Sequence, residues 1–191
     1  MIKSKDDLKQ YLEADRARFD NLPNLKDWIL QNEKWYIYQF LSHLRYVEYY
    51  KNKLSLESSV RRFLLYMPFA WHWFRYKRLG AKLHFVIRPN TCGSGLMIYH
   101  IGDIIHVGDF VTIGRNCTLL PGVVFSAKRM GDHVTVGDNV RFGLGSRIFG
   151  TVNIGDNVII GANAVITKDL PNNVVAVGVP AKIVKKSEED A

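Results

Sequence analysis

A polar segment at 120–135 interrupts a repetitive part of the sequence and carries several reactive side chains. It contains Lys128, Arg129, Asp132 and His133, which bring cations, a carboxylate and an imidazole close together in the chain. Enzymes commonly meet their substrates on loops that project from a rigid scaffold. We therefore expect a projecting loop that contacts a substrate. The alternative is a surface insertion without a role.

Histidines and cysteines elsewhere supply the other groups capable of chemistry. His100 ends the segment GLMIYH at 95–100, and histidine is the side chain that most often transfers protons near neutral pH. His106 lies at a repeat position, where an ordinary coil residue is expected. Cys92 and Cys117 are the only cysteines, and they lack the paired spacing that zinc and redox sites need.

The scaffold that must position these groups repeats every six residues. Units begin at Val107 and Ile113, and six consecutive units keep one register over 136–171. Each unit opens with an apolar side chain, while Gly, Asp and Asn fall where tight turns need a positive φ. An ordinary β-sandwich is disfavoured because its strands do not recur at this interval. Three units make one coil of a solenoid, so residues eighteen apart should stack: Val136 on Ile154, Phe142 on Ile160 and Ile148 on Ile166.

The first part of the chain shows helical patterns instead. Ser4 and Asp7 form a capping box ahead of a helix that should end near Phe19, before a break at Pro23. A second helix is expected over 25–51, where apolar side chains recur at steps of three and four residues. These helices must pack beside the start of the solenoid.

The net charge of +8 is concentrated in the first half of the chain, since 1–90 hold 17 Lys and Arg against 9 Asp and Glu, and 91–191 hold 9 of each. The segment 61–88 has seven basic residues, eight aromatic residues and no carboxylate. It begins with a helix expected over 61–78, which Pro68 should kink or divide. The composition favours either internal packing of the rings or a peripheral contact with an anionic membrane. No nucleic-acid partner is expected, because no binding motif accompanies the charge.

Nothing in the sequence predicts export or a membrane span. The first twenty residues lack the apolar run of a signal peptide, and no eighteen uncharged apolar residues occur together. The two isolated cysteines fit a reducing compartment. We therefore expect a cytoplasmic protein.

Several segments resemble the serine acetyltransferase family. They are the hexapeptide register, GLMIYH at 95–100 and the closing VITKDLPNNVVAVGVPAKIV at 165–184. The chain looks most similar to the branch found beside capsule and exopolysaccharide genes. LEADR at 12–16 and LRYVEYYKN at 44–52 are similar to the helical leader of that branch.

The resemblance implies an α+β fold. A basic, aromatic-rich helical region over 1–84 would precede a left-handed parallel β-helix over 85–186, and an acidic tail would follow over 187–191. A solenoid cannot close its own groove on one side, so we expect a homotrimer with sites between subunits.

The closing motif implies that acetyl-CoA is the donor substrate. By similarity, the pantetheine arm would lie in a groove between adjacent coils, and lysines near the C-terminus would meet the nucleotide phosphates as point charges. Ordinary solvated lysines are the alternative. The residues that match the donor site are Leu144, Ala162, Thr167, Lys168, Lys182 and Lys185.

The family's catalytic histidine corresponds to His100. It would accept the proton of the attacking hydroxyl, a role that contributes about 10² to 10⁴ in rate. His133 matches a second family histidine, which contacts the acceptor across the subunit boundary. The chain would therefore be an acetyl-CoA-dependent O-acetyltransferase that acts on a small acceptor.

The acceptor residues depart from those of the serine-specific enzymes. Tyr99 replaces an aspartate before the first histidine, Asp132 replaces an arginine before the second, and Val86 or a neighbour occupies the place of the carboxylate that orients the first histidine. Serine needs a carboxylate for its ammonium group and a cation for its carboxylate, for which Arg129 remains available. Tyr99 and Asp132 suit sugar hydroxyls, so a carbohydrate of capsule or exopolysaccharide synthesis is the expected acceptor, and serine is the alternative.

Two further function classes compete with these. A metal-dependent β-helix enzyme of the carbonic anhydrase type needs three imidazoles on one zinc ion, whereas His100 and His106 are six residues apart and would fall on successive faces of a coil. We therefore expect no metal. A non-enzymatic membrane adaptor is the remaining alternative.

Overall fold

A helical region followed by a parallel β-helix makes up the structure. The computed structural model describes residues 1–21, 23–56 and 59–186. The predicted acidic tail at 187–191 lies outside the described residues. The predicted break at Pro23 is present, because Pro23 lies between the first two helices and belongs to neither. The helices within these ranges are α1 (Lys5–Ala17), α2 (Leu25–Ile29), α3 (Glu33–Leu54) and α4 (Ser59–Leu83).

The capping box predicted for α1 is present. The backbone amide of Asp7 donates to Oγ of Ser4 at 3.0 Å, and the amide of Ser4 donates to Oδ2 of Asp7 at 2.9 Å. This reciprocal pair satisfies two amides that the first helical turn leaves without partners.

The single helix predicted over 25–51 is wrong, because the chain breaks at 30–32. Gln31 adopts a φ of 51°, in the left-handed region, and Asn32 starts a new helix by accepting a hydrogen bond from the amide of Lys34 at 3.2 Å. An asparagine side chain competes with the helix for backbone amides and is therefore a favoured N-cap. As a result, Glu33 becomes the first residue of α3.

Pro68 does not divide the third predicted helix. Helix α4 continues through it and extends to Leu83, five residues beyond the predicted end at 78. The continuous helix exposes a row of large apolar side chains at steps of three and four residues, each between 56% and 78% exposed. They are Val60, Phe63, Leu64, Met67, Trp71 and Phe74.

Each coil of the β-helix contributes short strands that stack on those of the next coil. Along the described chain the strands are β1 (Phe85–Ile87) and β2 (Met97–Ile98); β3 (Ile105–Val107), β4 (Val111–Ile113) and β5 (Thr118–Leu119); β6 (Val124–Ser126), β7 (Val134–Val136) and β8 (Arg141–Phe142); β9 (Arg147–Phe149), β10 (Val152–Ile154) and β11 (Ile159–Ile160); β12 (Val165–Ile166), β13 (Val174–Val177) and β14 (Lys182–Lys186). The first sheet contains β1, β3, β6, β9 and β12. The second contains β4, β7 and β10, and the third contains β2, β5, β8, β11 and β13, with β14 added antiparallel at its end.

The eighteen-residue register is confirmed. Ile154 pairs with Val136, Ile160 with Phe142 and Ile166 with Ile148, and all six side chains are buried. The interruption is shorter than predicted, because β6 lies inside 120–135 and continues the first sheet. The projecting loop is therefore 127–133.

One continuous apolar core joins the helices to the coils. The ring of Phe40 on α3 packs on Tyr76 of α4 and on Phe85 of β1, at centroid distances of 5.5 and 5.4 Å. The start of the β-helix is thus closed by the helical region, and the position of α3 is fixed relative to the first coil.

A buried ionic cluster also fastens α1 and α3 to the first coil. Arg45 is fully buried and donates to Asp15 at 2.7 Å, to Glu48 at 3.0 Å and to two carbonyls of 90–96 at 2.9 and 2.6 Å. Asp15 accepts from two amides of that segment at 2.7 and 2.9 Å, and Glu48 accepts from a third at 2.7 Å. Although burial disfavours its charge, the two carboxylates raise the pKa of Arg45 above its ordinary value. The leader segments 12–16 and 44–52 therefore have a structural role.

Candidate active site

Two edges of the β-helix carry most of the predicted site residues. Edge I consists of the turns from the third sheet to the first sheet of the next coil, at 99–104, 120–123, 143–146 and 161–164. Edge II consists of the turns from the first sheet to the second, and includes the loop 127–133 and the turn 167–169. The two edges flank the first sheet.

His100 lies on edge I directly after β2. Its φ is 66°, and a non-glycine residue in the left-handed region is uncommon and often marks a functional position. The imidazole is 69% exposed, and its Nδ1 lies 2.7 Å from Oε1 of Glu33 at the start of α3. The other carboxylate oxygen of Glu33 accepts from the amide of Ile101 at 3.1 Å.

The contact with Glu33 determines which nitrogen of His100 can accept a proton. An ionised carboxylate only accepts hydrogen bonds, so Nδ1 must carry the hydrogen. In the neutral ring, Nε2 then keeps its lone pair. This is the arrangement that a general base needs toward a hydroxyl group.

The predicted donor residues Leu144 and Ala162 lie on the same edge as His100. The three residues each follow, by two positions, the stacked strand residues Ile98, Phe142 and Ile160. Neighbouring strands are about 4.8 Å apart, so His100 and Ala162 are roughly 14 Å apart along the edge, three coils from each other. His100, Leu144 and Ala162 are all exposed on edge I, although Pro121 and Gly122 between His100 and Leu144 are buried.

Glycine is required where the turns of edge I touch. A Cβ on Gly143 would lie 2.6 Å from the backbone nitrogen of Ala162, and a Cβ on Gly161 would lie 2.7 Å from Cγ1 of Val177. Leu144, which directly follows Gly143, is 50% exposed. The contacts at Gly143 and Gly161 therefore leave no room for a side chain at either position, and the predicted pantetheine groove stays a prediction.

The remaining site residues near the loop lie on edge II. Nε2 of His133 is 3.1 Å from Oγ1 of Thr112, and the side chains of Arg129, Thr167 and Lys168 are exposed. Within one chain, the structure does not bring His133 to His100, because the two residues occupy different edges. Tyr99 is half-buried on edge I, beside the imidazole of His100.

Asp132 holds the loop in shape. Its Oδ2 accepts from the backbone amides of Lys128 and Arg129 at 2.7 and 2.8 Å, and its Oδ1 accepts from Oγ1 of Thr151 at 2.8 Å. The hydrogen bond from the amide of Arg129, followed by that from Thr151, holds the pKa of Asp132 below its ordinary value. The predicted contact of Asp132 with an acceptor stays a prediction, since the carboxylate already has partners within the loop.

Lys182 and Lys185 lie on β14, the strand that ends the third sheet, and both are exposed. The amide of Ala181, just before β14, donates to the carbonyl of Val165 at 2.8 Å. This contact holds the start of β14 beside the end of edge I that carries Ala162. The two lysines are therefore placed beyond Ala162, on the side away from His100.

The other candidate groups have structural surroundings. His106 lies on β3 as expected for a coil residue, with Nδ1 3.2 Å from the carbonyl of Phe125. Burial raises the pKa of Cys92 to about 12 and that of Cys117 to about 11, so neither thiol is a reactive nucleophile. Among the described residues, no three His, Cys, Asp or Glu side chains converge as a metal site would need. The zinc-enzyme alternative therefore finds no ligand set there.

Glu33 is the residue that the sequence did not reveal. It lies 67 residues before His100, in a stretch predicted to be the interior of a helix. The signal that could have found it is local, because Asn32 followed by an acidic residue is a typical helix start.

Comparisons with known proteins agree with this geometry. Residues 133–168 match the model described as the hexapeptide repeat of succinyl-transferase. A serine acetyltransferase of Staphylococcus epidermidis is 31% identical over 190 residues, which are 95% of this chain and 78% of that protein. This chain belongs to the serine acetyltransferase family.

Solved structures of this family share the fold. The serine acetyltransferase of Neisseria gonorrhoeae superposes with a TM-score of 0.67 at 27% identity, over 97% of this chain and 69% of that one. The same enzyme in complex with serine gives a TM-score of 0.66 at 28% identity, over 95% and 71% of the two chains. The α+β expectation of N-terminal helices followed by a β-helix is confirmed.

As a member of the serine acetyltransferase family, the protein is an acetyl-CoA-dependent O-acetyltransferase. The family supports acetyl-CoA as the donor. The carbohydrate acceptor of capsule or exopolysaccharide synthesis, which was the expected acceptor, finds no support in these comparisons, and the serine alternative fits them better.

Proposed function

We propose that the protein transfers the acetyl group of acetyl-CoA to the hydroxyl of serine. The observation that carries the proposal is the exposed imidazole of His100, whose Nδ1 contacts Glu33 and whose Nε2 is available as a base at the end of edge I. Relatives and solved structures named as serine acetyltransferases support the acceptor.

In the proposed reaction, Nε2 of His100 takes the proton of the serine hydroxyl as its oxygen bonds to the thioester carbonyl carbon. The tetrahedral intermediate collapses, the carbon–sulfur bond breaks and the sulfur leaves with the bonding electron pair. His100 then returns the proton to the sulfur. O-acetylserine and free coenzyme A are the products, and the enzyme ends in its starting protonation state.

Charged groups around His100 can hold a zwitterionic acceptor. Asp103 lies in the same turn as His100, so a carboxylate is present for the ammonium group of serine. Arg129 is exposed on the loop of edge II, so in a trimer it would come from the neighbouring protomer to meet the carboxylate of serine. Asp103 and Arg129 would therefore supply the carboxylate and the cation that are missing at Tyr99 and Asp132.

The acceptor is tested by the release of free coenzyme A in the presence of serine and of a panel of sugars. We expect turnover that saturates with serine and stays at the rate of donor hydrolysis with the sugars. Threonine serves as the matched amino-acid control, because it adds one methyl group beside the same hydroxyl. Saturable turnover of a sugar, with none of serine, would contradict the proposal.

We further propose that the active unit is a homotrimer. The donor residues Leu144 and Ala162 lie on edge I with His100, whereas His133 and the donor residues Thr167 and Lys168 lie on edge II of the same chain. A three-fold arrangement that apposes edge I of one protomer to edge II of the next would complete each site. Exposed apolar side chains at both edges, Leu144 on edge I and Phe149 beside edge II, suit such burial. We place the enzyme in the cytoplasm, where the free thiols of Cys92 and Cys117 stay reduced.

An anionic membrane surface is the second proposed partner, bound peripherally through 61–88. None of the described helices is long and apolar enough to cross a bilayer. The exposed apolar row on α4 is accompanied by basic residues, and the sequence 59–83 contains no carboxylate. Rings and aliphatic groups can enter the headgroup region while the cations meet lipid phosphates.

Replacing Phe63 and Trp71 with glutamate is expected to weaken co-sedimentation with phosphatidylglycerol vesicles at least tenfold. Burial of one such side chain contributes about 1.5–3 kcal/mol, and about 1.4 kcal/mol corresponds to a factor of ten. Replacing Ile183 and Val184 with glutamate is the control, because it adds the same two charges at exposed apolar positions at the other end of the molecule. A different outcome would assign this face to contacts between copies of the chain. In that case the original protein does not bind vesicles, and the variant loses a larger assembly that light scattering detects in the original protein.

A further inference from the structure

The β-helix of this chain does not itself provide the carboxylate that contacts His100. In the family that the chain resembles, this carboxylate lies at the position that Val86 or a neighbouring residue occupies here. Val86 lies on β1 and pairs with His106. The carboxylate found at Nδ1 belongs to Glu33, in the helical region. The helical region thus reaches into the active site of the β-helix.

The two oxygens of Glu33 have different partners. Oε1 lies 2.7 Å from Nδ1 of His100, and Oε2 accepts from the amide of the next residue, Ile101, at 3.1 Å. The carboxylate therefore holds both the ring and the backbone turn that carries it. Because the backbone of His100 is in the left-handed region, this turn needs such support.

Helix α3 places this carboxylate rigidly. Asn32 caps the helix immediately before Glu33, and twelve residues later Arg45 fastens the same helix to 90–96 of the first coil. His100 follows that segment along the chain, just beyond β2. Both partners of the contact are therefore anchored to the same part of the molecule.

We propose that Glu33 is a positioning residue that fixes the Nδ1–H tautomer and the orientation of His100, so that Nε2 faces the acceptor hydroxyl. The inference rests on the proposed function of His100 as general base. The carboxylate of Glu33 on α3 thus takes the place of the carboxylate that the β-helix lacks. A rival role is direct binding of the acceptor's ammonium group by Glu33.

The variant Glu33→Gln tests the proposal, because an amide can either donate to Nδ1 or accept from it and so no longer enforces one tautomer. We expect kcat to fall roughly 100-fold, while the KM values for serine and acetyl-CoA change less than about threefold, since only the transition state loses support. Asp6→Asn is the matched control, since it removes an exposed carboxylate from the first turn of another helix. It should leave kcat unchanged.

The nitrogen chemical shifts of His100, in protein labelled with ¹⁵N-histidine, supply a readout that needs no acceptor. At alkaline pH, where an imidazole is neutral, we expect a protonated Nδ1 and an unprotonated Nε2 in the original protein, and a mixture of both tautomers in Glu33→Gln. This result tests Glu33 even if serine is not the acceptor. Thermal unfolding should give the same Tm for Glu33→Gln and Asp6→Asn.

Two results would overturn the proposal. Unchanged nitrogen shifts together with an unchanged kcat in Glu33→Gln would show that the contact does not position the ring. An unchanged kcat with a large rise in the KM for serine would assign Glu33 to acceptor binding.

Discussion

Replacing His100 with asparagine is expected to lower kcat for acetyl transfer by about 10² to 10⁴, because the acceptor hydroxyl loses the base that takes its proton. Asparagine also adopts the left-handed backbone conformation readily, so the turn after β2 should persist. Binding of coenzyme A, measured by calorimetry, should change little, because the donor residues Leu144 and Ala162 lie further along edge I. Steady-state release of coenzyme A measures the effect on kcat.

The assembly provides an internal control for this variant. If each site combines His100 of one protomer with His133 of its neighbour, subunits that carry His100→Asn should regain activity when mixed and reassembled with subunits that carry His133→Asn. A fully active monomer in light scattering would contradict the homotrimer. A kcat within about twofold of the original value in His100→Asn would remove the histidine from the mechanism.

Replacing Arg45 with methionine is expected to lower the free energy of unfolding by about 3–5 kcal/mol. Asp15 and Glu48 would remain buried without their cation, and the carbonyls of 90–96 would lose their donor. Removing one partner of a buried ion pair is costly because the other charge is left uncompensated. Urea unfolding followed by circular dichroism measures the loss.

Arg115 supplies the matched control for Arg45. It contacts Asp138 at 2.7 and 3.0 Å, with geometry as good as that of the buried cluster, but its side chain is 71% exposed. An exposed ion pair is screened by water and contributes little to stability, so Arg115→Met should be much milder. Equal losses of unfolding free energy for the two variants would show that the buried ionic cluster does not stabilise the junction between the helices and the first coil.

The coils could be predicted because their determinants are local and repeated. Asparagine at the turn positions illustrates this, since Asn139, Asn157 and Asn173 all have a φ between 56° and 58°. Their side-chain amides form a chain of hydrogen bonds at 3.0 and 2.8 Å. Successive coils therefore repeat the same turn, although the last of these spacings is sixteen residues and not eighteen.

The helical region was harder to predict because tertiary contacts decide it. Gln31 and Asn32 end one helix and begin another within a stretch whose apolar spacing fits a single helix. Pro68 lies inside α4, although its ring usually interrupts a helix. Intrinsic preference gives way here to the packing of α3 and α4 on each other and on β1.

The candidate site was predictable only where a motif carried it. His100, Leu144 and Ala162 follow from the repeat and the family resemblance, and the structure places them on one edge. Glu33 could not be found in this way, because it comes from a different element, and its contact depends on the break at Gln31. A contact between residues far apart in the chain produces no regular spacing in the sequence that could predict it.

The most direct test of serine acetylation is to identify the product by mass spectrometry after incubation of the protein with acetyl-CoA and serine. We expect O-acetylserine in an amount equal to the coenzyme A released, and its loss in His100→Asn. Release of coenzyme A without acetylated serine, or an equal yield from His100→Asn, would contradict the proposed function.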